Sequence, residues 1–245
     1  MPSFTAEEAR IRDAYARRRS LQARESFFSP GHLYLLQDRE RHVLQLLRSL
    51  RRTDLSASRI MDVGCGTGQW LCQLVKWGAR PENLVGVELL PDRVAEARRM
   101  CPPATTIRCA SAAHLPAADN SFDIVLQSMV FTSVLDDTLK QRIAAEMLRV
   151  LAPRGVIIWY DFFRNNPLNA DVRGVPANQI RRLFPDCAVQ LRRVTLVPPL
   201  ARGLARVSPH VCALLAAIPL LRTHYLGTIT PVAYAADDAA NRTTP

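Results

Sequence analysis

The sequence predicts one α/β domain in which helices cover both faces of a mostly parallel sheet. Three observations lead to this prediction. An apolar run, residues 60–63, leads directly into a glycine-rich turn, and a helical pattern follows at once. Apolar runs then alternate with helical patterns up to residue 161, as is typical of parallel sheets. An acidic residue, Glu88, ends the second apolar run. A chain of 245 residues is long enough for one such domain with appended structure.

Two helical patterns precede the first strand. Residues 6–24 are strongly charged, with Ile11 and Tyr15 at helical spacing, and residues 32–51 carry a leucine-rich apolar stripe. The Ser-Pro-Gly sequence at 29–31 separates the two patterns. We expect residues 1–57 to form a helical cover over the sheet domain.

The alternating elements of the sheet follow in chain order. The predicted strands are residues 59–63, 84–88, 105–109, 123–128 and 156–161, and the predicted helices between them are residues 69–77, 92–100 and 136–151. A proline, Pro91, suits the first turn of the second of these helices.

The last third of the chain departs from this alternation. A short helix is predicted at 176–184, a strand at 187–197 and a final strand at 223–230. Between these strands lies a helical insertion, residues 198–222, whose helix at 200–221 is broken by two prolines. The main domain is therefore predicted to span residues 58–235, and residues 236–245 to form a flexible polar tail.

The glycine-rich turn has the pattern Asp62-x-Gly64-x-Gly66-x-Gly68. Glycines in such a turn let the backbone approach a ligand closely. Dinucleotide enzymes use G-x-G-x-x-G so that a helix N-terminus holds a pyrophosphate. The spacing here differs, and an acid two residues before the turn suits a cationic ligand better. Glu88, at the end of the next strand, is placed to accept hydrogen bonds from ribose hydroxyls.

These residues resemble motif I of the class I S-adenosylmethionine (SAM) methyltransferases. Residues 109–126 resemble the family segment that ends strand three, passes under the adenine and enters strand four. Residues 148–161 resemble the turn before strand five and that strand. The resemblance covers residues 55–165 and implies a Rossmann-like seven-stranded sheet, parallel except for an antiparallel strand seven in the pair at one edge.

The same resemblance implies a SAM site at the carboxyl ends of the strands. The expected cofactor contacts are Asp62, Gly64, Cys65, Gly66, Gly68, Glu88, Leu89, Ser111, Ala112 and Gln127. Family members often have Asp-Ala where this chain has Ser111-Ala112, and that aspartate would accept the adenine amino proton. Ser111 can accept a hydrogen bond but carries no charge.

The methyl acceptor is less well specified by the sequence. Residues 160–162 and 220–227 resemble a bacterial, methyltransferase type 11-like subgroup, often proposed to act in surface-glycan or secondary metabolism. We expect transfer to a hydroxyl of a small molecule or glycan, with carbon and nitrogen acceptors also open. Two other functions stay open: a SAM-binding regulatory or scaffold protein without turnover, and an RNA methyltransferase.

Methyl transfer requires alignment of the acceptor, and a hydroxyl acceptor also requires a proton acceptor. The candidate bases are Asp161 and His224, each with a structural role as the alternative. The candidate acceptor contacts are Tyr15, Phe131, Tyr160 and Tyr225.

The amino-acid composition limits the kinds of partner and cellular location that we expect for this protein. The net charge of +10 favours acidic partners, but nucleic acid is disfavoured because no basic platform interleaved with aromatic residues is present. Six cysteines without C-x-x-C or cysteine–histidine spacing predict reduced thiols, no metal site and a cytoplasmic location. The sequence has no signal-peptide pattern and no apolar run of the ~18–20 residues that span a bilayer.

Residues 200–221 combine apolar positions at helical spacing with Arg202 and Arg206. A basic amphipathic helix can bind an anionic membrane surface, here the inner membrane face. The alternatives are a lid over the substrate and a homodimer contact.

Overall fold

The computed structural model describes residues 5–22, 28–166 and 169–233 of the chain. The strands are β1 (Ile60–Val63), β2 (Leu84–Glu88), β3 (Thr106–Cys109), β4 (Phe122–Ser128), β5 (Leu151–Phe162), β6 (Cys187–Leu196) and β7 (Arg222–Pro231). The helices are α1 (Ala6–Gln22), α2 (Pro30–Ser49), α3 (Gln69–Lys76), α4 (Pro91–Met100), α5 (Asp137–Val150), α6 (Ala177–Leu183), α7 (Pro198–Leu204) and α8 (Pro209–Ala216).

All seven strands form one sheet in the order β3-β2-β1-β4-β5-β7-β6. The strands β1 to β5 pair in parallel, and β7 runs antiparallel to both of its neighbours. The predicted fold class is thereby confirmed, including the antiparallel β7 within the pair at one edge. The outermost position of that pair belongs to β6.

The two faces of the sheet are covered separately. Met61, Val125 and Trp159 point into one apolar cluster, whereas Ile60, Ile124 and Ile158 point into the other. Successive residues of a strand point to opposite faces of the sheet. Because both faces are buried, the sequences of the central strands are nearly continuous apolar runs. All four residues of β1 are buried, which fixes the strand that leads into the glycine turn.

Strand β5 begins five residues before its predicted start. Leu151 pairs with Phe122, and the register shifts before Ile124 pairs with Val156. Arg154 has a φ of 62°, the left-handed conformation that accompanies such an irregularity. The helical apolar spacing of residues 148–151 concealed this pairing in the sequence.

Helix α1 lies across the loops that follow β4, and α2 packs on α7, β6 and β7. The helices α7 and α8 connect β6 to β7, where the insertion was predicted. Within the described ranges, none of the helices is long and apolar enough to cross a bilayer. The predicted tail, residues 236–245, lies outside the described residues.

Candidate functional site

A cavity of about 1100 Å³ lies at the carboxyl ends of the central strands, beneath α1 and α2. Its floor is formed by the turn after β1 and by the ends of β2, β3 and β4. The predicted cofactor residues that line it are Gly64, Cys65, Gly66, Glu88, Leu89, Ser111 and Ala112. The structure thus brings together in one cavity predicted residues that are scattered over three loops.

The three glycines of the turn all have the left-handed φ values that favour glycine, between 56° and 84°. A Cβ at Gly64 would lie 2.5 Å from Val130 Cγ2, and a Cβ at Gly68 would lie 2.4 Å from Cys101 Sγ. At Gly66 the nearest atom to such a Cβ is Arg93 Nη1, 3.6 Å away. Gly66 thus leaves open space at the cavity wall, while Gly64 and Gly68 allow the turn to pack.

The buried carboxylate of Glu88 is held in a fixed position at the end of β2. Its Oε2 accepts from the Gly66 N–H at 3.0 Å, and its Oε1 accepts from the Leu90 N–H at 2.9 Å. A carboxylate has about four acceptor positions, so two are left for a ligand in the cavity that Glu88 lines. This geometry suits a vicinal diol such as that of a ribose.

Asp62 lies beneath the turn and is only 1% exposed. Within the described residues, neither of its oxygens has a hydrogen-bond partner. Burial, reinforced by the charge of Glu88, raises the pKa of Asp62 well above its usual range. A buried carboxylate without partners is costly, and a cation bound above the turn would lower that cost.

The two remaining predicted residues of the turn region support its packing. Burial raises the pKa of the Cys65 thiol far above its usual range, so Cys65 is a neutral packing residue. Gln127 is fully buried beneath the loop after β4, where its Oε1 accepts from the Val130 N–H at 3.3 Å.

Arg39, on α2, lines the same cavity and was not found from the sequence. Its guanidinium lies 4.7 Å from the Trp70 ring centroid, and its Nη2 donates to Gln69 Oε1 at 3.0 Å. Its buried Nε has no partner among the described residues. The arrangement offers a donor to an anionic group, such as a carboxylate, near the glycine turn.

Helix α1 forms the opposite wall. The Tyr15 hydroxyl lies 3.1 Å from Ser133 Oγ, and the guanidinium of Arg93 lies 4.4 Å from the Tyr15 ring centroid. The apolar part of this wall consists of Ile11, Val130, Val134, Leu139 and Ile143. Tyr15 is the predicted acceptor contact that the structure brings to the cavity.

The two candidate bases lie outside the set of described residues that line the cavity. Asp161 is fully buried and accepts from Thr132 Oγ1 at 2.6 Å, and burial raises its pKa to about 7. His224 is stacked between Tyr160 and Phe162, at 4.8 Å and 4.0 Å between ring centroids. Burial lowers the pKa of His224 to about 3, so its imidazole is neutral.

The other three aromatic candidates pack within the sheet domain. Phe131 lies 4.6 Å from Trp159, and Tyr225 lies 4.5 Å from Phe163, as measured between ring centroids. The Tyr160 hydroxyl is 2.9 Å from Thr195 Oγ1. The structure therefore separates these residues from the cavity that holds Tyr15.

The family described as "Methyltransferase domain" matches residues 61–159, the segment that runs from β1 to β5. Residues 61–159 therefore form a methyltransferase domain, and the chain is similar to the class I SAM-dependent methyltransferases. The cofactor of this family is SAM, and the residues present fit it. Glu88 suits the ribose, Asp62 suits a cationic group, and Gly66 leaves the space that the ligand needs.

Two curated methyltransferases of this kind illustrate the similarity. An uncharacterized methyltransferase of Mycobacteroides abscessus is 33% identical over 60% of this chain and 60% of its own length. A ubiquinone biosynthesis O-methyltransferase of Azorhizobium caulinodans is 35% identical over 48% of this chain and 45% of its own. The chain thus spans about half the length of these relatives.

A solved structure shows the same fold over more of the chain. It is a Burkholderia thailandensis 1,6-didemethyltoxoflavin-N1-methyltransferase with 1,6-didemethyltoxoflavin and S-adenosylhomocysteine bound. It superposes with a TM-score of 0.63 at 14% identity, covering 94% of this chain and 92% of its own. At this identity, the likeness to that methyltransferase concerns the fold alone.

Proposed function

We propose that this protein is an enzyme that transfers the methyl group of SAM to a hydroxyl of a small molecule or of a glycan. The observation that carries the proposal is the continuity of the cavity. The floor of the cavity, with Gly66 and Glu88, continues into an apolar chamber whose wall is formed by α1. Bound SAM supplies an activated methyl group, and the protein has to hold an acceptor in line with it.

Within this proposed class, the chamber favours a small molecule with an apolar frame and few polar groups over a glycan. Ile11, Val134 and Ile143 form an apolar surface, and Tyr15 and Ser133 place two hydroxyls beside it. These hydroxyls can orient an acceptor oxygen beside the apolar wall. As the methyl group leaves the sulfonium and S-adenosylhomocysteine is formed, the proton of the acceptor hydroxyl passes through the paired Tyr15 and Ser133 hydroxyls to solvent, because Asp161 and His224 do not line the cavity. One relative of the chain, the ubiquinone biosynthesis enzyme of A. caulinodans, is an O-methyltransferase, which supports an oxygen acceptor.

We assign Asp161 a positioning role in this reaction. Its carboxylate accepts from both the hydroxyl and the N–H of Thr132. Thr132 precedes Ser133, whose hydroxyl meets that of Tyr15 at the chamber wall. Asp161 therefore fixes the loop after β4, and a neutral, stacked His224 stabilises the neighbouring strands.

An RNA acceptor fits this site less well, because α1 brings acidic groups to the edge of the cavity. Glu7 accepts from the N–H groups of Leu135 and Asp136, and Glu8 lines the cavity itself. Glu7 is paired with Arg10 at 2.8 Å, so Glu8 is the carboxylate on α1 whose charge opposes the phosphates of a polynucleotide at the cavity.

The test is incubation of the purified protein with methyl-labelled SAM and separate metabolite, lipid and RNA fractions of the host. The proposal expects label in a metabolite or lipid product, and none with Gly66→Val, in which the cofactor space is filled. Label confined to RNA would overturn the acceptor class. Label in no fraction, despite SAM binding, would favour the scaffold alternative.

We also propose that the exposed surface of residues 198–221, here called the α7 and α8 surface, contacts an anionic membrane. Val207, Leu214 and Leu220 are 84%, 72% and 68% exposed. The exposed side chains of Arg202 and Arg206 accompany them on the same segment. Exposed apolar groups beside arginines complement a lipid surface with anionic headgroups. The described lining of the cavity includes no residue of this segment, which argues against a lid over the substrate.

A further inference from the structure

Glu8 is a buried carboxylate at the cavity wall, although it belongs to the charged first helix. It is 6% exposed and lines the cavity from α1. Its Oε2 accepts from the Thr5 N–H at 2.8 Å and from Thr5 Oγ1 at 3.1 Å, the capping-box arrangement of a helix start. Its Oε1 accepts from Ser111 Oγ. The carboxylate is therefore fixed against the loop after β3.

The contact with Ser111 supplies the charge that this loop lacks. Ser111 donates its hydroxyl proton to Glu8, and its oxygen accepts from the Ala113 N–H at 3.1 Å. Ser111 thus contributes no negative charge of its own and has its proton already committed. The carboxylate at this end of the cavity comes instead from a residue 103 positions earlier in the chain.

The order of groups along the cavity shows which part of SAM meets Glu8. The glycine turn follows β1, Glu88 ends β2, and Ser111 follows β3, and these strands are neighbours in the sheet. A nucleoside whose ribose binds Glu88 extends its base toward the loop after β3. The exocyclic amine of adenine is a donor that needs an acceptor when it is buried.

We propose that Glu8 accepts the hydrogen bond of the adenine 6-amino group, so that the first helix completes the cofactor site. The inference rests on the proposed function, because it requires SAM in this cavity. Of the about four acceptor positions of the carboxylate, Thr5 and Ser111 occupy three. The remaining position, on Oε1, is the one assigned to the amine.

The test compares S-adenosylhomocysteine with S-inosylhomocysteine, in which a carbonyl oxygen replaces the amine. That oxygen would face the Glu8 carboxylate, so the wild-type protein should prefer the adenosyl ligand by about tenfold to 100-fold, as for a hydrogen bond to a charged group. Glu8→Ala should reduce the preference to within about twofold. Titration calorimetry with each ligand measures the ratio.

Glu7→Ala is the matched control. Glu7 is the neighbouring residue and also anchors α1, but it does so through Leu135 and Asp136, away from Ser111. If Glu8 only docks the helix, both variants should weaken both ligands alike and keep the preference. That result would overturn the inference. Loss of the preference in Glu8→Ala alone would support it.

A rescue variant keeps the inference testable if Glu8→Ala loosens the helix. Adding Ser111→Asp to Glu8→Ala moves the carboxylate to the loop itself and should restore the preference for the adenosyl ligand. Equal binding of both ligands by the wild-type protein would overturn the inference alone. Failure of the wild-type protein to bind S-adenosylhomocysteine would contradict the proposed function and the inference with it.

Discussion

The carboxylate of Glu88 accepts a 3.0 Å hydrogen bond from the Gly66 N–H, which joins the end of β2 to the glycine turn after β1. The backbone N–H of Leu90 holds the other oxygen of the same carboxylate. The acid that we assign to the ribose and the turn that we assign to the cofactor are therefore parts of one hydrogen-bonded unit. This pre-organisation reduces the ordering that ligand binding would otherwise require.

Replacing the charge of Glu88 should weaken cofactor binding. Glu88→Gln keeps the size of the side chain but removes the charge that strengthens hydrogen bonds from ribose hydroxyls. We expect S-adenosylhomocysteine to bind about tenfold to 100-fold more weakly, as measured by titration calorimetry. The control is Glu82→Gln, an exposed residue just before β2, which should leave the affinity unchanged. Equal affinities of wild type and Glu88→Gln would show that Glu88 does not hold the ligand.

Asp161 should make the free energy of unfolding depend on pH. Burial raises its pKa to about 7 in the folded protein, above the usual value of about 3.9 in the unfolded chain. Between these values the folded state binds more protons, so the contribution of Asp161 to stability falls as pH rises through this window. Asp161→Asn removes this dependence while an amide oxygen still accepts from Thr132.

The variant should therefore gain stability relative to wild type as pH rises from about 4 to 7, and the difference should stay constant above that. Urea unfolding across this range measures it. The exposed Asp186→Asn serves as the control and should show no such trend. His224 is common to wild type and variant, so its own acid-dependent loss of stability cancels. A difference that does not change with pH would contradict the assignment of a raised pKa.

The α7 and α8 surface predicts binding to anionic membranes. Wild-type protein should float with vesicles that contain phosphatidylglycerol at low salt, and less so with phosphatidylcholine alone. Val207→Ser combined with Leu214→Ser should reduce flotation, whereas Leu44→Ser, an exposed leucine on α2, should not. A protein that stays unbound would contradict the proposal. A dimer that is lost in the same double variant would assign the surface to a second copy of the chain.

The central strands could be predicted because burial on both faces leaves a strong local signal. The predicted second strand, 84–88, coincides with β2. The glycine turn, Glu88 and Ser111 were found for a related reason, since each lies within a few residues of a strand end. Their sequence positions alone bring them to one edge of a parallel sheet.

The contacts that depend on docking between distant segments could not be predicted. Glu8 and Arg39 reach the cavity from helices whose placement is decided by packing, and their sequence context does not show which loop they meet. Asp161 was predicted as the last residue of the strand 156–161, and His224 near the start of the strand 223–230. Because β5 and β7 continue pairing as far as Phe162 and His224, both residues lie inside the ladder and are covered. The pairing of β5 with β7 therefore decided their burial.

The most direct test of the account is titration of the wild-type protein and two glycine variants with S-adenosylhomocysteine. Gly66 and Gly78 both have a positive φ and open space where a Cβ would stand, but only Gly66 borders the cavity. Both variants place a β-branched residue at a positive φ, and the strain is greater at Gly78, whose φ is 97°, than at Gly66, whose φ is 56°. The account predicts one binding site in wild type and in Gly78→Val, and none in Gly66→Val. Undiminished binding by Gly66→Val would contradict the placement of the cofactor on the glycine turn.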